Sequence, residues 1–133
     1  MNVYVFGNED LNIDNRAIKT ANKLKTKIKD INFIRIDVNQ DLPISESKNL
    51  IILDTVMGLD EVTEIKENDL DKLILTKSLT AHDYDLGFQL KYLRKLRKIS
   101  SFTILGIPMS GKLDYLRITS ILRKLVAQDM HGS

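Results

Sequence analysis

Hydrophobic and polar residues follow two patterns along the chain, one typical of strands and the other typical of helices. Continuous apolar runs predict buried parallel strands, and alternation of apolar with polar residues predicts strands with one exposed face. The predicted strands are Met1–Phe6, Ile31–Val38, Leu50–Asp54, Glu61–Lys66 and Phe102–Ile107. The charges in Glu61–Lys66 favour an edge position for that strand.

Apolar residues also recur at helical spacing in three segments. Arg16–Lys29 carries lysines on one side, and its apolar face is formed by Ala17, Ile18, Ala21, Leu24 and Ile28. A second helix starts at a cap formed by Asp83 or Asp85 and runs to Lys98. The last helix is Leu113–Gln128, with an inner face formed by Leu116, Ile121, Leu122 and Leu125.

Strands that alternate with helices predict an α/β fold, a three-layer α/β/α sandwich. The sheet is expected to be mostly parallel, with about five strands and one antiparallel edge strand. The length of 133 residues suits a single domain with a substantial core. We therefore expect residues 1–133 to form one domain, with residues 129–133 as a frayed tail.

Composition restricts the kinds of function that the chain can have. Cysteine is absent, which excludes disulfides, thiolate metal sites and a cysteine nucleophile. The 20 basic residues barely exceed the 18 acidic ones, and aromatic residues make up only 6%, which argues against a nucleic-acid partner. The sequence has neither an apolar run long enough to span a membrane nor a signal-peptide layout. We expect a cytoplasmic protein without a membrane partner.

Three polar residues, distant from one another in the chain, are candidates for the chemistry: Asp14, Asp54 and His82. Asp54 ends an apolar strand, whereas Asp14 and His82 each lie shortly before a predicted helix. The loops that follow parallel strands gather at one end of the sheet, where ligands bind. Two carboxylates and an imidazole at that place would form an open three-ligand site for a divalent metal such as nickel, zinc or manganese.

Four motifs follow one another along the chain. Gly7–Asn8 ends the first strand and leads through a loop to Asp14 and a helix rich in Ala and Ile. Leu53–Val56 places an acid and then a small residue after a buried strand, and Ser78–His82 places a histidine before a helix. Thr103–Pro108 forms the last strand and its exit. The series and its order resemble the hydrogenase maturation endopeptidases.

Members of that family remove a C-terminal peptide from the large subunit of nickel–iron hydrogenase after nickel is inserted. The resemblance therefore implies a hydrolase whose protein client is a hydrogenase large-subunit precursor. It implies that Asp14, Asp54 and His82 hold the metal and act in catalysis, and that Gly7 and Asn8 shape the adjacent loop at the substrate. The implied metal is nickel, which the client itself can deliver, with zinc or manganese as further options.

Each candidate residue also has a simpler structural interpretation. Asp14 can be the N-cap of the first helix, which is as good an explanation of its position as metal binding. His82 taken alone is more often a surface or capping residue than a ligand. Asp54 favours a function, because a carboxylate at the end of a fully apolar strand is costly to bury without one.

A nucleotide-binding module is a first alternative. Gly106–Lys112 matches the phosphate-binding pattern G-x-x-x-x-G-K, between a predicted strand and a predicted helix. Leu113 stands where that loop needs Ser or Thr for magnesium, and Pro108 removes an amide donor from the phosphate cradle. These two residues favour a turn over a nucleotide site.

A receiver-type signalling domain is a second alternative. Receiver domains have about the length of this chain. In that scheme Glu9 and Asp10, which follow the first strand, would hold magnesium, and Asp54 would accept the phosphoryl group. The lysine–proline pair expected after the last strand of a receiver is absent, since Pro108 precedes Lys112 here. Neither His82 nor the Gly7–Asn8 turn has a role in that scheme.

Overall fold

The computed structural model describes residues 2–6, 15–36, 47–56, 59–69 and 99–131. Five strands and two helices lie within these residues, and residues 67–69 are also helical. The elements are β1 (Asn2–Phe6), α1 (Arg16–Leu24), β2 (Asn32–Ile36), β3 (Ser47–Val56), β4 (Thr63–Lys66), β5 (Ile99–Pro108) and α2 (Tyr115–His131). The helix predicted to end at Lys98 and the residues Gly7, Asn8, Asp14 and His82 lie outside the described residues.

The five strands form a single sheet in the order β2-β1-β3-β5-β4. Neighbouring strands are parallel except β4, which pairs antiparallel with β5 at one edge. Parallel neighbours need a crossover connection, and α1 supplies it between β1 and β2. The structure confirms the predicted α/β fold with a mostly parallel sheet and one antiparallel edge strand.

The first face of the sheet is covered by both described helices. Side chains at alternate positions of β1, β3 and β5 pack there against α1 and α2, and Leu24, Ile118 and Leu122 are completely buried in this layer. Lys23 of α1 also lies over the ring of Tyr115 in α2, with its Nζ 4.1 Å from the ring centroid. The two helices are thus joined to each other as well as to the sheet.

The second face of the sheet is apolar and buried as well. The intervening positions of these strands, together with one residue each from β2 and β4, form a second cluster, which includes Tyr4, Phe6, Ile36, Leu50, Ile52, Val56, Ile65, Phe102 and Ile104. Burial on both faces explains why the central strands read as nearly continuous apolar runs in the sequence.

Helix α1 is shorter than the periodicity predicted. All five predicted inner residues are buried, but the helix ends at Leu24 and residues 25–27 form a turn. The backbone N–H groups of Lys27 and Ile28 both donate to the carbonyl of Leu24, which tightens the chain. Ile28 therefore reaches the core from the turn that returns the chain to β2.

Helix α2 has one feature that the pattern placed wrongly. Ile118, Leu122, Leu125 and Val126 form its buried face, while Leu116 is 85% exposed. Leu116 lies two residues before Ile118, which turns its side chain by about 200° around the helix axis, away from the core. The predicted inward position of Leu116 is therefore wrong.

None of the described helices is both long and apolar enough to cross a membrane.

Candidate active site

Asp54 lies near the C-terminal end of β3, which occupies the centre of the sheet. The strand continues past it to Val56, two residues further than the sequence pattern predicted. Asp54 pairs in register with Gly106 of β5 and is only 1% exposed. A carboxylate is thus buried in the central strand of the sheet, at the end where ligand sites of α/β sheets form.

The surroundings of Asp54 are mostly apolar. By strand alternation its side chain lies on the second face of the sheet, with Ile52 and Val56 before and after it on the same side. Burial in such a place raises the free energy of the charged form, so hydrogen bonds, a proton or a cation must offset it. A carboxylate in this position interacts more strongly with a nearby cation than it would in water.

Gly106 leaves room beside this acid for side chains of the neighbouring residues. A Cβ placed on Gly106 would come within 2.7 Å of Leu59 Cδ1 and 3.1 Å of Ile65 Cδ1. The space next to Asp54 is therefore filled by aliphatic side chains from β4 and the segment before it. The Gly106–Lys112 segment, which matches the phosphate-binding pattern, begins inside β5 and not in a loop. It therefore does not have the conformation of a phosphate-binding loop.

Thr55 occupies the opposite face from Asp54 and contacts α1. Its Oγ1 accepts a hydrogen bond from the backbone N–H of Ala17, at 2.9 Å and fully buried. The first N–H groups of a helix have no partner within the helix, and Thr55 satisfies one of them. Sequence reasoning noted Thr55 only as the small residue after the acid and did not foresee this contact.

Arg16 joins the start of α1 to the end of β5. Its Nη1 donates to the carbonyl of Pro108 at 2.8 Å, and its Nη2 donates to the carbonyl of Gly111. Gly111 has φ +90°, a conformation that favours glycine, and it shapes the loop that Arg16 holds. In the sequence, only the charge of Arg16 indicates this role. A cation in the first turn of a helix interacts unfavourably with the helix dipole, so it needs another reason to be there.

Asn15 stands at the N-cap position of α1, where the simpler interpretation had placed Asp14. Its side chain makes no capping hydrogen bond, although the residue is buried, with only 7% of its surface exposed. Among the described residues its Oδ1 has no hydrogen-bond partner. A buried amide oxygen, on the residue that follows the proposed acid Asp14 in sequence, adds a polar acceptor to the start of α1.

The convergence of the three proposed ligands stays a prediction, because Asp14 and His82 lie outside the described residues. Within the described part of the chain, no group of three or more His, Asp or Glu side chains is close enough to hold a metal. The donor set itself suits a divalent metal: Asp54 supplies a buried carboxylate, and the predicted partners supply a second carboxylate and an imidazole.

Comparison with solved structures shows three similar chains, two of them from E. coli. The hydrogenase maturating endopeptidase HybD from E. coli superposes with a TM-score of 0.60 at 16% identity, covering 86% of this chain and 77% of that one. A solution structure of an endopeptidase from Escherichia coli gives a TM-score of 0.57 at 16% identity, covering 81% of this chain and 74% of that one.

This chain has the fold of those endopeptidases. A hydrogenase 2 maturation peptidase from a Thaumarchaeota archaeon also matches, with a TM-score of 0.50 at 19% identity over 100% of both chains. At such identities the likeness establishes the shared fold. No protein-family model matches the sequence, and no curated protein is significantly similar to it.

The receiver alternative fits the strand order less well. Flavodoxin-like sheets of that class have the order 2-1-3-4-5 with parallel strands. Here the fourth and fifth described strands are exchanged, and β4 runs antiparallel to β5.

Proposed function

We propose that this protein is an endopeptidase of the hydrogenase maturation type. Its client would be the large-subunit precursor of a nickel–iron hydrogenase, from which it removes a C-terminal extension. The observation that carries the proposal is Asp54, a carboxylate buried at the C-terminal end of the central strand in a chain with this fold. The order of the four sequence motifs around Asp14, Asp54 and His82 gives independent support.

Asp14, Asp54 and His82 would together hold a divalent metal. Nickel brought by the client is the expected ion, and zinc or manganese suits the same donor atoms. When bound, such an ion polarises a peptide carbonyl or lowers the pKa of a bound water. Gly7 and Asn8 would shape the loop that lies against the client's peptide.

The described residues contribute binding and orientation. Asp54 is carried by β3, which is hydrogen-bonded to strands on both sides, so the backbone that carries its carboxylate is held in place. The apolar second face excludes water around it, which strengthens its attraction for a cation. A poorly solvated carboxylate of this kind would favour a client that carries a metal over one that does not.

The direct test is incubation of the purified protein with a nickel-loaded hydrogenase precursor. The wild-type chain should shorten the precursor, and Asp54→Ala or His82→Ala should reduce the rate by more than about 100-fold, beyond the loss typical of a residue that only supports a ligand. Asp60→Ala, which removes an exposed acid near β4, is the matched control and should process normally.

Circular dichroism spectra of the variants should match the wild type, so that a lost rate reports chemistry and not unfolding. Full processing by the Asp54→Ala, His82→Ala double variant would refute the proposed role of these residues. Failure of the wild-type chain to shorten a nickel-loaded precursor would count against this client.

A further inference from the structure

Two contacts hold the first turn of α1 against the ends of the two central parallel strands. Thr55 Oγ1 accepts from the Ala17 N–H, which ties α1 to β3. The Arg16 guanidinium donates to the carbonyls of Pro108 and Gly111, which ties α1 to β5 and its exit. Pro108 pairs in register with Val56, so both contacts are made at the same end of the sheet.

We infer that Thr55 and Arg16 are positioning residues for the metal-binding acids, an inference that rests on the proposed function. Thr55 directly follows Asp54 on β3, and Arg16 lies two residues after Asp14 in the sequence. The hydrogen bond from Ala17 to Thr55 therefore connects the strand that carries one acid to the helix that begins just after the other.

Thr55 suits this role because it is buried, and so is the hydrogen bond that it accepts from the Ala17 N–H. It is 3% exposed, and the Ala17 N–H that it accepts is one of the donors that a helix cannot satisfy internally. Loss of the hydroxyl would leave this amide buried without its acceptor, and the first turn of α1 would shift to find another one. Such a shift changes the distance between α1 and the end of β3.

Arg16 adds a second restraint that a lysine cannot reproduce. The two nitrogens of one planar guanidinium donate to two carbonyls three residues apart, whereas an ammonium is a single point donor on a flexible chain. The guanidinium also lies at the N-terminus of α1, where the helix dipole disfavours a positive charge. Its hydrogen bonds to the two carbonyls offset this unfavourable interaction. Together the two residues fix α1 against both β3 and β5.

The test uses Ni²⁺ alone as the probe, with binding to the purified chain measured by calorimetry. Thr55→Val keeps the side-chain volume but removes the acceptor, and it should weaken Ni²⁺ binding by about 10-fold to 100-fold, the range found when a residue that supports a metal ligand is lost. Thr55→Ser keeps the hydroxyl and should bind like the wild type. Arg16→Lys should fall between wild type and Thr55→Val.

Thr20→Val is the matched control for general damage. Thr20 is also completely buried in α1, but its Oγ1 donates to the Arg16 carbonyl within the same helix. Its loss should lower stability and leave Ni²⁺ affinity unchanged. Amide hydrogen exchange supplies a readout that does not depend on metal: the Ala17 amide should exchange faster in Thr55→Val and remain slow in Thr55→Ser.

The outcomes separate this inference from the proposed function. Equal Ni²⁺ affinity in wild type and Thr55→Val would overturn the positioning role while leaving the peptidase proposal intact. Equal losses in Thr20→Val and Thr55→Val would also overturn it, because the effect would then be a general loss of stability. A wild-type chain that neither binds Ni²⁺ nor processes the precursor would instead refute the proposed function, and the inference would fall with it.

Discussion

Asp54 and Thr55 show how much depends on single positions in β3. They are neighbours in sequence, but strand alternation directs one to the second face of the sheet and the other to α1. Asp54 supplies a buried carboxylate on the second face, and Thr55 holds the first turn of α1 on the opposite face. A shift of one residue in the pairing of β3 would exchange the two faces and destroy both roles.

Leu116 and Leu122 allow a paired test on one helix. Leu122 is completely buried, so Leu122→Ala should lower the free energy of unfolding by about 2–5 kcal/mol through lost burial and a cavity. Leu116 is 85% exposed, and Leu116→Ala should change it by less than about 0.5 kcal/mol. Urea unfolding measures both, and a large loss in Leu116→Ala would contradict the exposed position of that side chain.

The two helices begin in different ways. Helix α1 has Asn15 at its N-cap without a side-chain capping bond, and its first turn depends on Thr55 and Arg16. Helix α2 is capped within its own segment, since Asp114 Oδ1 accepts from the Arg117 N–H at 3.1 Å. The start of α1 is therefore set by the sheet, while the start of α2 is set locally.

A local cap can be removed without touching the sheet. Asp114→Ala should lower the free energy of unfolding by about 1 kcal/mol, the usual value of an N-cap oxygen. Asp114→Asn keeps a side-chain oxygen and should lose much less. Thermal unfolding followed by circular dichroism compares the two, and equal melting temperatures for Asp114→Ala and wild type would show that the cap contributes nothing.

At the scale of the whole molecule, the sheet order places β3 at the centre and β2 and β4 at the edges. The two central pairings, of β3 with β1 and with β5, bring together the ends of strands that are far apart in sequence. Ion pairs that solvent can reach join this edge of the sheet to α2: Lys124 pairs with Glu64 of β4, and Arg117 pairs with Glu61, two residues before β4. Exposed pairs of this kind contribute little to stability.

This arrangement predicts a gradient of amide hydrogen exchange across the sheet. The amides of Ile52 and Leu53 should exchange only through global unfolding, because β3 is paired on both sides and buried on both faces. Amides of β2 and β4 should exchange faster, since each has one unpaired edge in the described sheet. Exchange at Ile52 as fast as at Ile65 would contradict the central position of β3.

The sequence by itself determined most of the described elements and most of their buried faces. Alternation and helical spacing report burial within one segment, so β1, β3, β5 and the inner face of α1 were predictable, as was an acid near the end of the central strand. The same reasoning misplaced Leu116 and the end of α1, because where a helix meets the sheet is not set by its own periodicity.

Only the tertiary structure decided the order of the strands and the contacts at their C-terminal end. The Thr55–Ala17 bond joins residues 38 positions apart, and the Arg16–Pro108 bond joins residues 92 positions apart. Such contacts depend on strand order and register, which no local pattern encodes. The acid was therefore visible in the sequence, whereas the residues that hold its surroundings in place were not.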